Sequence, residues 1–73
     1  MQRAGVQSGT VRWVGYDLAT SVLEVGFVSG GVYRYLDVPP HVALALLESD
    51  SIGRYLNREV KLRYSGEPVS RAG

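Results

Sequence analysis

The sequence predicts a small α+β domain in which a three-stranded antiparallel meander is followed by one or two short helices and an optional short last strand. Three segments rich in β-branched and aromatic residues follow one another, joined by short connections of turn-forming residues. After them, two consecutive prolines precede a stretch whose apolar residues recur at helical spacing. The 73 residues are enough for one hydrophobic core and no more, so we expect a single domain.

Three strands are predicted, over residues 10–16, 21–28 and 32–38. The second strand places Leu23, Val25 and Phe27 at a spacing of two, so these side chains share one face. Asp17 suits the opening of a short turn, which makes the first two strands antiparallel neighbours. A Ser-Gly-Gly sequence at residues 29–31 separates the second strand from the third. The three strands should therefore form a meander.

The first predicted helix begins at Pro40. The fixed φ of a proline suits a first helical turn, and neither Pro39 nor Pro40 could donate a hydrogen bond to a strand. Four apolar residues fall within one arc of this helix: Val42, Ala43, Leu46 and Leu47. His41 and Glu48 lie on the opposite side, and this distribution is typical of a helix that packs on a sheet.

A second helical segment and a last strand are predicted after it. Residues 49–51 (SDS) offer N-cap side chains, and Ile52, Tyr55 and Leu56 then share one helical face. In residues 60–64 (VKLRY), apolar or aromatic side chains alternate strictly with basic ones. This alternation suits a short strand better than a continuing helix.

The two ends of the chain differ in composition from the middle. Residues 1–9 and 65–73 are rich in Gly, Ser and other polar residues and each offers one valine to bury, so we predict flexible tails around a domain at residues 10–64. The predicted core consists of Leu23, Val25, Phe27, Val42, Leu46, Leu47, Ile52 and Leu56. No apolar run approaches the roughly 18 residues of a spanning helix, and no apolar signal segment begins the chain, so we expect a cytoplasmic protein without membrane contact.

The composition excludes much catalytic and metal chemistry. With no cysteine and one histidine, the chain cannot form disulfides, thiolate zinc sites, cysteine nucleophiles or sites with several histidines. His41 has no companion ligand at suitable spacing and is predicted to be an exposed surface residue. No serine has a credible base beside it, and no two carboxylates are placed for shared acid–base work. We therefore expect a binding domain that is not an enzyme and carries no cofactor or metal.

Several short motifs carry a family resemblance. They are residues 14–17 (VGYD), 23–27 (LEVGF), 33–35 (YRY), 37–39 (DVP) and 51–57 (SIGRYLN), with Tyr64 following. Over roughly residues 10–64 this combination resembles the KTSC domain, which is named for its occurrence at the C-terminus of some lysyl-tRNA synthetases and is also found as stand-alone bacterial proteins. Leu36 and Leu56 stand where Phe is usual, which exchanges one apolar residue for another. The resemblance implies a small α+β fold and no established activity, and the synthetase association suggests RNA binding.

Tyr33 and Tyr35 lie on one face of the third strand and could stack two unpaired bases, as sheet aromatics do in single-strand RNA binders. The register of the hairpin before them decides which face this is. An odd loop such as residues 29–31 pairs Phe27 with Tyr33 and Val25 with Tyr35, so both rings join the core face.

An even loop at residues 30–31 gives the other arrangement. It pairs Val28 with Tyr33, leaves both tyrosines on the opposite face as an exposed platform, and turns Arg34 inward. An inward guanidinium costs free energy. We therefore favour the core face, with each ring less than half exposed, and the exposed platform is the alternative.

Four basic residues form the best functional lead. Arg54, Arg58, Lys61 and Arg63 fall within ten residues that contain one acid, Glu59, and we call these four the basic patch. The first two share a helix face, and the last two share one face of the predicted last strand. Seven of the eight basic residues in the chain are Arg, which binds phosphate bidentately and stacks on bases. The patch predicts a nucleic-acid surface that includes Tyr33 and Tyr35, and an ordinary solvated surface is the alternative.

Ser51 and Gly53 are a weaker candidate site. At the start of a helix beside Arg54, they could hold an anion on free backbone N–H groups. Helix capping by Ser51 and close packing at Gly53 account for the same residues and are the alternative.

Two apolar residues could serve an interface. Trp13 is predicted to fill the core, because a large ring in so small a domain usually does, and use in an interface is the alternative. Leu44 lies near the polar side of the first helix. Together with an exposed Trp13 it would form an apolar patch for a protein partner or a second copy.

Two functions follow from these features. The first is a small non-enzymatic module that binds RNA, either tRNA or single-stranded RNA, or another single-stranded nucleic acid, through the basic patch and the two tyrosines. The alternative is a protein-interaction module that docks a host partner or associates with itself. Phosphate-dominated binding weakens steeply with salt and apolar binding does not, so a titration separates the two.

Overall fold

The computed structural model describes residues 2–6 and 8–69 and shows one antiparallel sheet with helices on one of its faces. The strands are β1 (Gln2–Gly5), β2 (Val11–Asp17), β3 (Val22–Phe27), β4 (Val32–Tyr35) and β5 (Gly66–Pro68). They lie side by side in the order in which they occur along the chain, and the helices are inserted between β4 and β5. The predicted α+β class and the predicted meander of β2, β3 and β4 are confirmed.

Both hairpins of the meander have the turn chemistry that their residues favour. In the first, the Asp17 carboxylate accepts a hydrogen bond from the Ala19 N–H at 3.0 Å, which starts the turn. In the second, the Phe27 N–H donates to the Gly31 carbonyl at 2.8 Å, and the three residues between them form the loop. Gly30 has a φ of 101°, a conformation that residues with a side chain rarely adopt.

A β-bulge in β2 sets which of its residues face the core. Val11 lies opposite Phe27 and Trp13 opposite Gly26, so Arg12 is an extra residue in the strand. Val11 and Val14 are therefore both buried under the helices, while Arg12 is exposed. We call the side of the sheet that carries the helices the helical face and the other side the outer face.

Trp13 lies on the outer face, so its predicted role as a core residue is wrong. Its indole covers Gly26, where a Cβ atom would come within 2.2 Å of the ring. Val14, the next residue along β2, faces the helices instead and belongs to the core cluster. Trp13 and Leu44 of the first helix consequently belong to opposite sides of the sheet and do not form the predicted common patch.

The helices begin where the sequence predicts. Helix α1 (Pro40–Glu48) starts at the second proline, and helix α2 (Ile52–Tyr55) is capped by Ser51, whose hydroxyl accepts a hydrogen bond from the Arg54 N–H at 3.4 Å. The helix then continues as a π-helix over Leu56–Val60, closed by a hydrogen bond from the Lys61 N–H to the Leu56 carbonyl at 2.8 Å.

A short last strand follows the helices, as predicted, but it lies at Gly66–Pro68 and not at residues 60–64. Leu56 and Val60, four residues apart, are both buried, so the helical periodicity extends to Val60. Residues 61–63 form a turn in which Leu62 is exposed. The alternation of residue types in this segment therefore does not correspond to an alternation of buried and exposed positions.

The outermost strands come from segments that we predicted to be tails. β1 pairs with β2, and β5 pairs with β4 next to the aromatic ring of Tyr35. Both strands are held by backbone hydrogen bonds to a sheet edge, and their side chains give no periodic signal of this pairing. For residues 2–5 and 66–68 the tail assignment is thus replaced by a strand, and residues 1, 7 and 70–73 of the predicted tails lie outside the described residues.

The core is formed between the helical face and the helices. Leu23, Val25, Leu46 and Leu56 are buried as predicted, and the predicted residues Phe27, Val42 and Ile52 are partly buried against them. Leu47 is 42% exposed, so its assignment to the core is wrong; α1 contacts the core through Ala43 and Leu46 instead. Tyr35 and Ala43 are buried too, in agreement with their predicted faces, although the predicted core list did not include them. The buried residues that the prediction missed are Val11, Val14, Val38 and Val60.

Candidate nucleic-acid interface

A groove lined by aromatic residues opens on the helical face, where β4 meets the turn after the π-helix. Its lining residues are Phe27, Ser29, Gly31, Tyr33, Tyr35, Lys61 and Gly66, and its volume is about 510 Å³. We call it the aromatic groove. It brings together three residues of the predicted nucleic-acid surface, namely Tyr33, Tyr35 and Lys61.

The register of the second hairpin places both tyrosines on the helical face. Tyr33 lies opposite Val25 and Tyr35 opposite Leu23, so they share a face with Phe27, as predicted for an odd loop. The loop is residues 28–30, one position earlier than predicted, which moves the pairing by two residues and keeps its parity. Tyr35 is 4% exposed and Tyr33 is 39% exposed, so both are less than half exposed, as predicted.

Phe27 contacts both Tyr33 and Lys61 at the mouth of the groove. The rings of Tyr33 and Phe27 meet edge to face, with centroids 5.9 Å apart and an interplanar angle of 83°. The Lys61 ammonium lies 5.3 Å from the centre of the Phe27 ring, within the range of a cation–π interaction. A partly exposed aromatic ring therefore stands beside a positively charged group, an arrangement that suits a planar, anionic ligand.

Tyr35 forms the floor of the groove. No hydrogen bond joins its hydroxyl to any residue of the described part of the chain, and no fully buried side-chain polar atom there lacks a partner. Its oxygen is therefore not fully buried although the residue is, and Tyr35 is one of the residues that line the groove. Burial raises the pKa of the Tyr35 hydroxyl above its usual value, and the neighbouring Tyr33 raises it further. At neutral pH this hydroxyl is protonated and can donate a hydrogen bond.

A row of positive charges leads along the second helix towards the groove. Arg54 of α2, Arg58 of the π-helix and Lys61 of the turn that follows are all exposed. We call these three the cationic row. Arg54 and Arg58 also line a shallow pocket of about 310 Å³ that contains Asp50 and Glu59. Within the described ranges neither guanidinium forms an ion pair, so both are available to an anion.

Arg63 does not belong to this row. The structure has a turn where the last strand was predicted, so Lys61 and Arg63 do not share a strand face. The Arg63 guanidinium instead lies 3.5 Å from the carboxylate of Glu59. The basic patch predicted from sequence is therefore divided into the cationic row and an ion-paired Arg63.

Ser51 and Gly53, the weaker candidate site, each have a structural role. The Ser51 hydroxyl caps α2 through the Arg54 N–H. Gly53 packs against Thr10, so that a Cβ atom at this position would lie 3.4 Å from the Thr10 side chain. Helix capping and close packing, which were the alternative, account for this geometry.

An ion pair on the outer face was missed by the sequence analysis. Glu24 is 1% exposed, and its carboxylate accepts a hydrogen bond from the Arg34 Nε–H at 2.7 Å. The two residues are direct cross-strand neighbours on β3 and β4. Opposite charges at alternating positions of two facing strands are the signal that could have identified the pair. Arg34 points away from the core, in agreement with the expectation that an inward guanidinium is unfavourable.

In the part of the chain that the structure describes, no three His, Cys, Asp or Glu side chains come close enough together to hold a metal ion. None of the helices there has the length and apolar character needed to cross a bilayer.

Comparisons with known proteins place this geometry in a family. The model of the KTSC domain family matches residues 7–64. An uncharacterized protein of Stutzerimonas stutzeri (strain A1501) is 51% identical over 61 residues, which cover 84% of this chain and 86% of that protein. The crystal structure of a KTSC domain protein from Yersinia pestis superposes with a TM-score of 0.90 at 29% identity, covering 94% of this chain and 97% of that one.

A longer protein shares the same domain-sized region. A lysine–tRNA ligase of Nostoc punctiforme is 31% identical over 64 residues, which make up 88% of this chain and 11% of the ligase. The similarity to this enzyme is thus confined to a small part of it. The matched residues and the close structural agreement show that the chain belongs to the KTSC domain family.

Proposed function

We propose that this KTSC domain is a non-enzymatic module that binds single-stranded RNA, including unpaired segments of tRNA. In this proposal a base stacks on Tyr33 in the aromatic groove, and phosphates bind to the cationic row of Arg54, Arg58 and Lys61. The observation that carries it is the position of Lys61 at the mouth of a groove in which Tyr33 is 39% exposed. The compartment that goes with this function is the cytoplasm.

Stacking on Tyr33 supplies the first part of the binding free energy. A base on an aromatic side chain contributes about 1–3 kcal/mol, and it does so for every base because each has a π face. The edge-to-face contact with Phe27 fixes the orientation of the Tyr33 ring before a ligand arrives. A fixed ring loses little conformational entropy on binding.

The cationic row supplies the second part. Its two guanidiniums can each donate two parallel hydrogen bonds to a phosphate, and the Lys61 ammonium adds a point charge beside the stacked base. The similarity to a region of a lysine–tRNA ligase supports tRNA as one of the RNAs to be tested. Because the overall charge of the chain is only +1, this local row would have to provide the attraction.

A titration at several salt concentrations tests the proposal. The fluorescence anisotropy of labelled oligo(U) RNA and of labelled unfractionated tRNA should rise when the domain is added at low salt. With three phosphate contacts to a single strand, the logarithm of the association constant should fall with the logarithm of salt concentration at a slope of about 2. The absence of association with both RNAs at low salt would rule out the proposed function.

Substitutions of Tyr33 separate stacking from charge. Tyr33→Leu should weaken binding of oligo(U) about tenfold, because the stacking surface is lost, and should leave the salt slope unchanged. The matched variant Tyr33→Phe keeps the ring and should bind like the wild type. Equal affinities for all three proteins would show that no base stacks on this residue.

A protein-interaction module is the second candidate function, and exposed leucines on α1 favour it. Leu44 is 58% exposed, and Leu47, three residues later, is also exposed, so the two share one side of the helix. An interface built on this pair, with a protein partner or a second copy, would persist at high salt. In that case the RNA titration would show no association at low salt, which distinguishes this function from RNA binding.

A further inference from the structure

We propose that the hydroxyl of Tyr35 reads the edge of one unpaired nucleobase held in the aromatic groove, so that the domain discriminates between bases. This inference rests on the proposed function and adds to it the chemical group that is recognised. It is carried by a buried side chain that lines the groove and whose polar end is not fully buried and has no hydrogen-bond partner in the described part of the molecule.

The ring of Tyr35 is held in one orientation. It belongs to the buried core cluster, and Gly66 of β5 lies so close that a Cβ atom there would come within 2.6 Å of the ring. Only a glycine fits at this point of β5. The hydroxyl is therefore presented to the groove from a rigid position, as required of a group that distinguishes one ligand from another.

A second tyrosine in the same core shows what a purely structural hydroxyl looks like. The hydroxyl of Tyr16 donates a hydrogen bond to the Val38 carbonyl at 2.5 Å, which joins β2 to the segment before α1. Buried tyrosine hydroxyls usually find such a partner. The Tyr35 hydroxyl lacks one within the described residues, and the groove leaves room for a ligand to provide it.

The groups around the Tyr35 hydroxyl suit a nucleobase as its ligand. Tyr33 and Tyr35 are two residues apart on one strand face, so their Cα atoms are about 7 Å apart. A base stacked on Tyr33 thus directs one edge towards Tyr35. Base edges carry carbonyl oxygens and ring nitrogens as acceptors, which a protonated phenol can address. Lys61 at the mouth of the groove is placed for the attached phosphate, and the volume of about 510 Å³ is in the range of small-ligand sites.

The test uses Tyr35→Phe, which removes only the oxygen atom. Association with labelled oligo(U), oligo(C) and oligo(A) RNA and with oligo(dU) is measured by fluorescence anisotropy for the wild type and the variant. We expect the wild type to bind the three RNAs unequally. The variant should bind the preferred RNA about three- to tenfold more weakly and bind all three alike, as expected when one hydrogen bond is removed. Its melting temperature should stay that of the wild type.

Tyr16→Phe is the matched control. It removes a hydroxyl that bonds within the protein, so it should lower the melting temperature and leave the order of preference among the RNAs unchanged. Wild-type affinity that is equal for the three RNAs, or a Tyr35→Phe variant that keeps the wild-type affinities and preference, would overturn the inference and leave RNA binding intact. Tighter binding of oligo(U) than of oligo(dU) supports RNA as the source of the base, and the reverse order would contradict it. Lack of any association by the wild type overturns the proposed function and this inference together.

Discussion

Replacing Leu46 with alanine should lower the free energy of unfolding by about 2–5 kcal/mol. Leu46 is fully buried on the side of α1 that faces the sheet, where its side chain joins the core cluster. Shortening it removes buried apolar surface and leaves a cavity that the surrounding strands cannot fill completely. A domain of 73 residues has a total stability of only about 4–11 kcal/mol, so the loss is a large part of it. Urea denaturation followed by far-ultraviolet circular dichroism measures the effect.

Leu44→Ala is the matched control for this variant. It makes the same substitution in the same helix at a side chain that is 58% exposed. The change in helix propensity is the same, so any difference between the variants reports on burial alone. We expect Leu44→Ala to change stability by less than about 0.5 kcal/mol. Equal destabilisation by the two substitutions would contradict the packing of α1 described above.

Reversing two charges of the cationic row should abolish RNA association. The double variant Arg54→Glu with Arg58→Glu replaces two positive charges next to the proposed phosphate path with two negative ones. Both side chains are exposed and form no ion pair in the described part of the chain, so the fold should be retained. Anisotropy titration with oligo(U) RNA at low salt measures the binding, and circular dichroism verifies the fold.

A charge-conserving pair of substitutions completes this experiment. Arg54→Lys with Arg58→Lys keeps both positive charges, so the variant should still bind, with a salt slope close to that of the wild type. Arg54→Gln with Arg58→Gln should flatten the slope by about 0.7 for each phosphate that the protein no longer binds. Wild-type binding by the Glu variant would show that phosphates do not contact this helix.

The parts of the fold that could be predicted from sequence are those with a strong local signal. The meander follows from the spacing of Leu23, Val25 and Phe27 and from turn residues such as Asp17. The start of α1 follows from the fixed φ of Pro40, and the start of α2 from the capping hydroxyl of Ser51. In each case residues close together in the chain determine the local structure, so it can be predicted from the sequence alone.

Other parts depend on contacts that a linear pattern does not contain. β1 and β5 form because a sheet edge offers unpaired backbone groups to them, and a Gly-Glu-Pro sequence gives no sign of this. Residues 60–64 alternate like a strand, yet burial of Val60 against the core makes helix the more stable choice up to that residue. The bulge at Arg12 is also not visible in the sequence pattern, and after it Val14 faces the core while Trp13 does not.

The candidate site, like the fold, could be predicted from the sequence only in part. The cost of an inward Arg34 favoured an odd loop, which places Tyr33 and Tyr35 on the core face, and the structure has this parity. The position of Lys61 above Phe27 depends on the turn that follows the π-helix, and no spacing in the sequence indicates it. The aromatic groove therefore joins Tyr33, Tyr35 and Lys61, which were predicted as one surface, to Phe27, which was predicted only as a core residue.

The pairing of β5 has a consequence for motion. About thirty residues separate β5 from β4, so pairing the two strands costs substantial loop-closure entropy. Only three residues of β5 form the pairing that offsets this cost. Short, solvent-exposed elements of this kind open at a lower free energy than the domain unfolds. Since Gly66 covers the ring of Tyr35, each such opening uncovers the floor of the groove while the remaining core stays intact. A ligand that binds only while β5 is paired would stabilise that pairing by its binding free energy. Binding in the groove would therefore make β5 open less often.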